Sequence, residues 1–335
     1  MPDTPFTPQV LCTGILVADI FVPPLPSLPA AGTLRATDDF LLDSGGCAAN
    51  VATCLSRLGV KTAVNGCVGN DVFAEFIAQD LRGKGVETSG IRRVSHQGTS
   101  KTVILPVIGE DRRFIHTFGA NAAFSDADIR LDSLPRNGLL YLGGFLILPG
   151  LNSQAVASLF RTARERKITT VLDIVVPVGE GSAAMRSLKD ILPFTDYFLP
   201  NDTEAQALTG EIEPWDQAEH FLKSGCGAVL ITQGKGGVLL RSAREHLQAE
   251  SYPVEFVDGS GAGDAFAAGF ITGLLAGWGL PQTVRFASAI GASACTRLGC
   301  TTGVFTRTEA EAFMEMHTVS LVPTSGNSAM TESER

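Results

Sequence analysis

Short apolar runs alternate with longer stretches in which apolar residues return every third or fourth position, and this rhythm organises the chain from residue 10 to residue 317. The runs at 10–17, 62–68, 139–142, 169–174, 197–199 and 228–232 read as buried strands, and 47–58, 71–84, 152–166, 262–277 and 282–297 as helices. Strands that are apolar throughout and separated by helices imply a mostly parallel sheet covered on both faces, an α/β/α sandwich. Three segments break the rhythm. Residues 34–43, 101–108 and 112–118 are β-like without intervening helices, and Gly109-Glu110-Asp111 is a turn between the last two. They predict a small sheet able to cover a site. One domain over 10–317 is therefore expected, with a β lid from 34–43 and 99–118. A polar, proline-containing extension at 1–9 precedes it, and a disordered tail over 318–335, rich in Ser, Thr, Gly and Glu, follows.

Composition narrows the classes. With 335 residues and 44% hydrophobic content the chain can bury a full core. A net charge of −9 argues against nucleic acid or an anionic membrane as partner, but leaves nucleotides open, since amides and metal ions bind phosphates locally. Seven cysteines, an odd number without a C-x-x-C pair, suit reduced thiols and a cytoplasmic location. The opening residues lack a basic region followed by an apolar one, so no secretory signal is expected. The longest apolar stretch, 265–280, is interrupted and too short to span a bilayer. No G-x-x-x-x-G-K-[ST] loop, G-x-G-x-x-G after the first strand, H-E-x-x-H or G-x-S-x-G occurs.

The most informative segment is Asp258-Gly259-Ser260-Gly261-Ala262-Gly263-Asp264, which runs into an apolar helix. Its glycines let a ligand approach the backbone. Amides of Gly261, Ala262 and Gly263 at a helix start form an anion hole, and Asp264 is placed to take a proton from an attacking alcohol. A capped buried helix explains the same residues. Gly45-Gly46 followed by Asn50 puts a donor and acceptor one turn inside another helix start. Asp19 is expected just past the carboxyl end of the first strand, where α/β sheets bind ligands; a local turn cap is the other reading. Asn201 and Glu204 share a helix face and suit Mg²⁺ or its waters, or else form a capping box. Thr232, Gly234 and Gly237, in a strand-turn-strand segment, could pass over a nucleotide or simply close a hairpin.

Taken in order, these clusters resemble the ribokinase family of carbohydrate kinases, also called the PfkB family, from about residue 10 to about residue 313. The 258–264 segment resembles its carboxyl-terminal signature, 45–50 its amino-terminal signature, and Asn201-x-x-Glu204 its metal and phosphate motif. The resemblance implies the ribokinase-like fold and an ATP-dependent kinase acting on a primary hydroxyl of a small sugar. In it Asp264 would be the base and the amides of Gly261 to Gly263 the anion hole. Asp19, Gly45, Gly46, Asn50 and Asn121 would hold the sugar, Asn201 and Glu204 would organise Mg²⁺ and phosphates, and Thr232, Gly234 and Gly237 would line the ATP site. It also implies a homodimer formed through the lid and a K⁺ site to which Asp258, Ser260 and Gly299 could correspond. Two departures stand out: Gly259 where members often have Thr, and Cys47 where ribokinases proper often have Lys. A nucleoside kinase of the same family, with Phe21, Phe40 and Phe118 as a base slot, and a non-catalytic sugar-binding protein are the alternatives.

Overall fold

The first apolar run divides between two sheets. In the computed structural model, which describes residues 6–323 except 111, β1 (Val10–Gly14) lies in the central sheet and β2 (Val17–Phe21) in the lid. Gly14 marks the break: at φ 132° it turns the chain out of the sheet, and a Cβ there would sit 2.1 Å from the Gly143 carbonyl oxygen. Asp19 is thus a lid residue in the middle of β2, which corrects its expected place at the end of a central strand.

The chain continues through β3 (Leu41–Gly45), α1 (Cys47–Arg57), β4 (Thr62–Val68), α2 (Val72–Gly83), β5 (Glu87–Arg93), β6 (Lys101–Leu105) and β7 (Arg113–Thr117). Then come β8 (Leu139–Gly143), α3 (Ser153–Glu165), β9 (Thr169–Leu172), α4 (Gly181–Leu188), β10 (Tyr197–Phe198), α5 (Asp202–Thr209) and α6 (Pro214–Lys223). The last elements are β11 (Ala228–Thr232), β12 (Val238–Ser242), β13 (His246–Ala249), α7 (Ala262–Leu275), α8 (Leu280–Ala294), α9 (Arg307–Met316) and β14 (Leu321–Pro323).

The central sheet has the order β14-β13-β12-β11-β10-β9-β8-β1-β4-β5. It is parallel from β5 to β11 and antiparallel beyond. Its pleat divides the core by alternate residues. Val10, Cys12, Val64 and Tyr141 join the cluster packed under α1, α2, α7 and α8, while Leu11, Ala63, Leu140 and Leu142 join the one under α3 to α6. Burial on both faces is why these strands read as continuous apolar runs, and the expected three-layer, ribokinase-like architecture is the one observed.

The lid sheet has the order β3-β2-β6-β7, with β2 antiparallel to β3 and parallel to β6. Two expectations are corrected, and one strand was not expected. Of 34–43 only 41–43 are strand, because 34–40 are exposed and pair with no other strand. β5 has no apolar alternation in Glu-Thr-Ser-Gly-Ile-Arg-Arg, yet pairs with β4 at the sheet edge. Within the expected tail, β14 pairs with β13. Residues 1–5 of the extension and 324–335 of the tail lie outside the described residues.

Candidate active site

Two helix starts face each other beneath the lid. α7 begins after the 258–261 turn, with Gly261 at φ 73° as its N-cap and no side chain capping the first-turn amides. A Cβ on Gly261 would meet the Cys300 carbonyl oxygen at 2.2 Å, so only glycine fits between the turn and the loop beside it. α1 begins at Gly46, at φ 88°, and carries Asn50 one turn in. Where the helices meet, Asn50 Nδ2 donates to Asp264 Oδ2 at 2.8 Å, while the buried Oδ1 of Asn50 has no partner. The residue expected to hold sugar therefore also holds the expected base.

Asp264 does not stand alone. Asp173, just past the carboxyl end of β9, accepts a hydrogen bond at 2.6 Å from the hydroxyl of fully buried Tyr141. Ligand atoms of Cys47, Asp173 and Asp264 lie within 4.8 Å of one another. Burial and then the Asp173 charge raise the Asp264 pKa to about 8, outweighing the Asn50 donation. Burial likewise raises Asp173 to about 6, and burial together with Asp173 raises Glu204 to about 8. Asp173 and Asp264 lie side by side, and among the described residues neither they nor Glu204 is ion-paired to Lys or Arg.

Asp19 approaches from the lid. Its Oδ2 would lie 1.7 Å from a Cβ on Gly45, so the absent side chain at 45 makes its place. Burial raises its pKa to about 6. Asp19, Gly46, Cys47, Thr102, Phe114 and Gly261 are among the residues around a cavity of about 300 Å³. A larger surface depression of about 580 Å³, lined by Lys189, Glu211 and His220 among others, contains none of the clustered residues.

The strand ends of β10 and β11 bring Asn201 and Thr232 together in an isolated parallel bridge. Asn201 Oδ1 accepts from the Glu204 amide at 2.8 Å and Glu204 Oε2 from the Asn201 amide at 3.0 Å, a capping box opening α5. Gly234, at φ 53°, is open to solvent, whereas Gly237, at φ 89°, packs against the Ala249 carbonyl oxygen. Asn121 departs from expectation. It is buried, with Oδ1 accepting from Leu16 N at 3.2 Å and Nδ2 donating to Leu16 O at 2.9 Å, so its amide secures the β1–β2 connection instead of reaching sugar. Phe40 and Phe118, suggested for a base slot, are about half exposed and only Phe21 of that trio lines the cavity.

Sequence reasoning missed Asp173, Tyr141 and Arg112. Asp173 had a legible signal: it directly follows an apolar strand run, the position at which α/β sheets present ligand-binding side chains. Tyr141 sits inside such a run and looks like core. Arg112, beside a turn, gave no local sign of the distant Asp258 it meets.

A lidded, mostly parallel α/β sheet beside which a glycine turn and a carboxylate without an ion pair come together has the layout of a ribokinase-like phosphotransferase. The pfkB family carbohydrate kinase model matches residues 7–307. The chain belongs to that family and is an ATP-dependent sugar kinase. It is 27% identical over 300 residues to a ribokinase of Haemophilus influenzae, covering 87% of this chain and 94% of the relative. It is 28% identical over 293 residues to a 2-dehydro-3-deoxygluconokinase of Bacillus subtilis, covering 84% and 90%. Among solved structures, it resembles a chain assigned as ribokinase II of E. coli in complex with ATP and Mg²⁺, with 25% identity, TM-score 0.79 and coverage of 92% and 99%. No helix among the described residues is long and apolar enough to cross a membrane.

Proposed function

We propose that this kinase transfers the γ-phosphoryl group of ATP to a primary hydroxyl of a small sugar or sugar-like molecule, with Asp264 as general base. The observation that carries the reading is the Asp264 carboxylate itself. It sits in the first turn of α7 next to uncapped amides, oriented by Asn50 and raised to about 8, close to working pH, where a general base is most effective. Asp19 and Asn50 bind acceptor hydroxyls, and the glycines at 45 and 46 leave the backbone open to them. Asp264 takes the hydroxyl proton as the oxygen attacks. The amides of Gly261, Ala262 and Gly263 hold the charge of the transferring group. Asn201, Thr232, Gly234 and Gly237 lie along the nucleotide, with closure of the lid excluding water.

The acid set fits a divalent cation. Glu204 and Asp173 are hard oxygen donors whose proton affinity is raised by burial, and for Glu204 also by the Asp173 charge. Asn201 and Glu204, besides capping α5, are positioned to bind Mg²⁺ or its waters, and the bound ion supplies neutralisation of the triphosphate.

The test is ADP release with D-ribose, D-fructose, 2-dehydro-3-deoxygluconate and adenosine, after a thermal-shift screen of the same compounds. A sugar or sugar acid that both raises the midpoint and drives ADP release is the expected result. Binding without ADP release by any of them would count against a kinase with Asp264 as base. The apolar wall formed by Phe21, Ile104 and Phe114 supports a second reading, a nucleoside acceptor, and turnover of adenosine alone would favour it. We also propose a homodimer through the lid. β7 is exposed along its whole length, including Phe114 and Ile115 at 57% and 64%, an apolar edge that a second copy would cover. Light scattering giving a monomer mass would refute this.

A further inference from the structure

Arg112 joins the lid to the phosphoryl-transfer turn. It directly precedes β7, and its Nη1 donates to Asp258 Oδ1 at 2.5 Å and to Ser260 Oγ at 2.5 Å. Asp258 is only 3% exposed. Its Oδ1 also accepts from the backbone amide and hydroxyl of Ser260 at 3.0 and 2.9 Å, and its Oδ2 from the Gly299 amide at 3.2 Å. The guanidinium carbon lies 5.7 Å from the centre of the Phe114 ring, and Arg112 borders the acceptor cavity together with Asp19 and Gly261.

These are the residues that the family resemblance offers for a monovalent cation, and their arrangement does not fit one. A K⁺ site needs converging oxygens with free lone pairs. Here the Asp258 carboxylate and the Ser260 hydroxyl converge on guanidinium N–H, and Gly299 turns its amide, not its carbonyl, toward Asp258. A positive charge is present nonetheless, on a side chain anchored in the lid.

We infer that Arg112 is a tethered cation standing in for a bound monovalent ion: it orders the 258–261 turn and does so only when the lid is down. A carboxylate as buried as Asp258 needs a partner, because a buried charge left alone is strongly destabilising. The partner comes from the lid, so the Asp258 hydrogen bonds that shape the turn are complete only with the lid seated. Lid closure over an acceptor is thereby coupled to the geometry of the Gly261 to Gly263 amides. Arg112 is a positioning residue in this account, and the account rests on the reading of those amides as the anion hole.

The experiment compares wild type, Arg112→Ala, Arg112→Lys and Asp264→Asn in buffers of KCl, NaCl and tetramethylammonium chloride, with and without added guanidinium chloride. Turnover uses the panel compound with the highest ADP release, and hydrogen exchange follows the lid hairpin over 101–117 without ligand. Wild-type turnover should vary less than twofold among the salts. Arg112→Ala should lose at least about tenfold in kcat, recover part of it with K⁺ or guanidinium, and exchange faster in the hairpin, whereas Arg112→Lys should fall between. Since Arg112→Ala orphans a buried charge, Arg112→Ala/Asp258→Asn serves as a folded control and should show the same faster exchange.

Several-fold activation of wild type by K⁺ would overturn the inference, as would an Arg112→Ala enzyme with wild-type kcat. Unchanged hairpin exchange in both arginine-free variants would overturn the latch whatever the role of Asp264. Failure of the base reading looks different: Asp264→Asn would keep wild-type turnover while the exchange data stand.

Discussion

Asp258 and Asp264 bracket one glycine turn, and the fold treats them in opposite ways. Asp258 is buried against the Arg112 guanidinium and two groups of Ser260. Asp264, in the first turn of α7, faces Asp173 and receives the neutral Asn50 amide. The contrast extends outward. At the lid junction Asp43 and Asp80 share Lys84, at 2.5 and 2.7 Å, whereas Asp19, Asp173 and Glu204 in the cleft have no ion pair among the described residues. Acids that fix the shape of the hinge receive cations from the protein, and acids in the cleft do not. The cleft is left avid for protons and for external positive charge, which suits a site that accepts a hydroxyl proton and binds a metal–nucleotide complex.

The sharpest way to break this comparison is to neutralise each aspartate of the turn in its own right. Asp264→Asn keeps an acceptor for Asn50 but cannot take a proton. It should lower kcat by about 10²–10⁴-fold, and relieving crowded like charge should leave the melting temperature equal or higher. Wild-type turnover in this variant would remove the central claim. Asp258→Asn should do the reverse, with its main effect on stability. Losing one member of a buried pair costs about 3–5 kcal/mol, but Arg112 is 27% exposed and keeps some hydration, so about 2 kcal/mol is expected by urea titration. An Asp258→Asn protein as stable as wild type would show that the arginine pair does not hold the turn.

A finer test addresses the lid acid. Gly45→Ala adds a methyl that would lie 1.7 Å from Asp19 Oδ2, forcing that carboxylate aside without removing it. KM for the acceptor should rise about tenfold, an effect of about 1.4 kcal/mol, with kcat changed less, because the base and its amides are untouched. An unchanged KM would place Asp19 outside the acceptor site.

How much of this was legible in the chain follows from the range of each signal. The central sheet was readable because its strands are buried on both faces and its helices on one, patterns that a few consecutive residues express. The glycine turn and Asp264 were readable because a helix start is also local. The lid was harder. Its strands are short and partly exposed, so 34–40 passed for strand and the break at Gly14 passed unnoticed, which misplaced Asp19. Contacts between distant segments left no trace at all. Asn50 with Asp264, Tyr141 with Asp173 and Arg112 with Asp258 are 214, 32 and 146 positions apart, and Asn121 looked like a ligand residue because its partner, the Leu16 backbone, is 105 positions away.

The mildest perturbation is pH, and its sign follows from the same comparison. Asp19 and Asp173 are raised to about 6, and Asp264 and Glu204 to about 8, from ordinary values near 4. A carboxyl group whose pKa is raised on folding prefers to stay protonated in the fold. Its stabilising contribution is complete below the unfolded value and is lost as pH rises through the folded one. The unliganded protein should therefore melt a few degrees lower at pH 8.5 than at pH 5.5, for a loss of about 1–2 kcal/mol. Below the unfolded carboxylate range, about pH 4, the trend should reverse: there the contribution of the raised acids is complete, whereas Asp71, Asp128 and Glu309, held low by their hydrogen bonds, and for Asp128 also by Arg92, lose that support as they protonate. Asp264→Asn should flatten the upper slope by removing one of the groups. Saturating Mg²⁺ and ATP should flatten it further, because the cation they bring favours the ionised acids. An unliganded melting temperature that climbs from pH 5.5 to 8.5, equally in wild type and Asp264→Asn, would mean that the cleft acids ionise freely and that the proposed contrast with the hinge is absent.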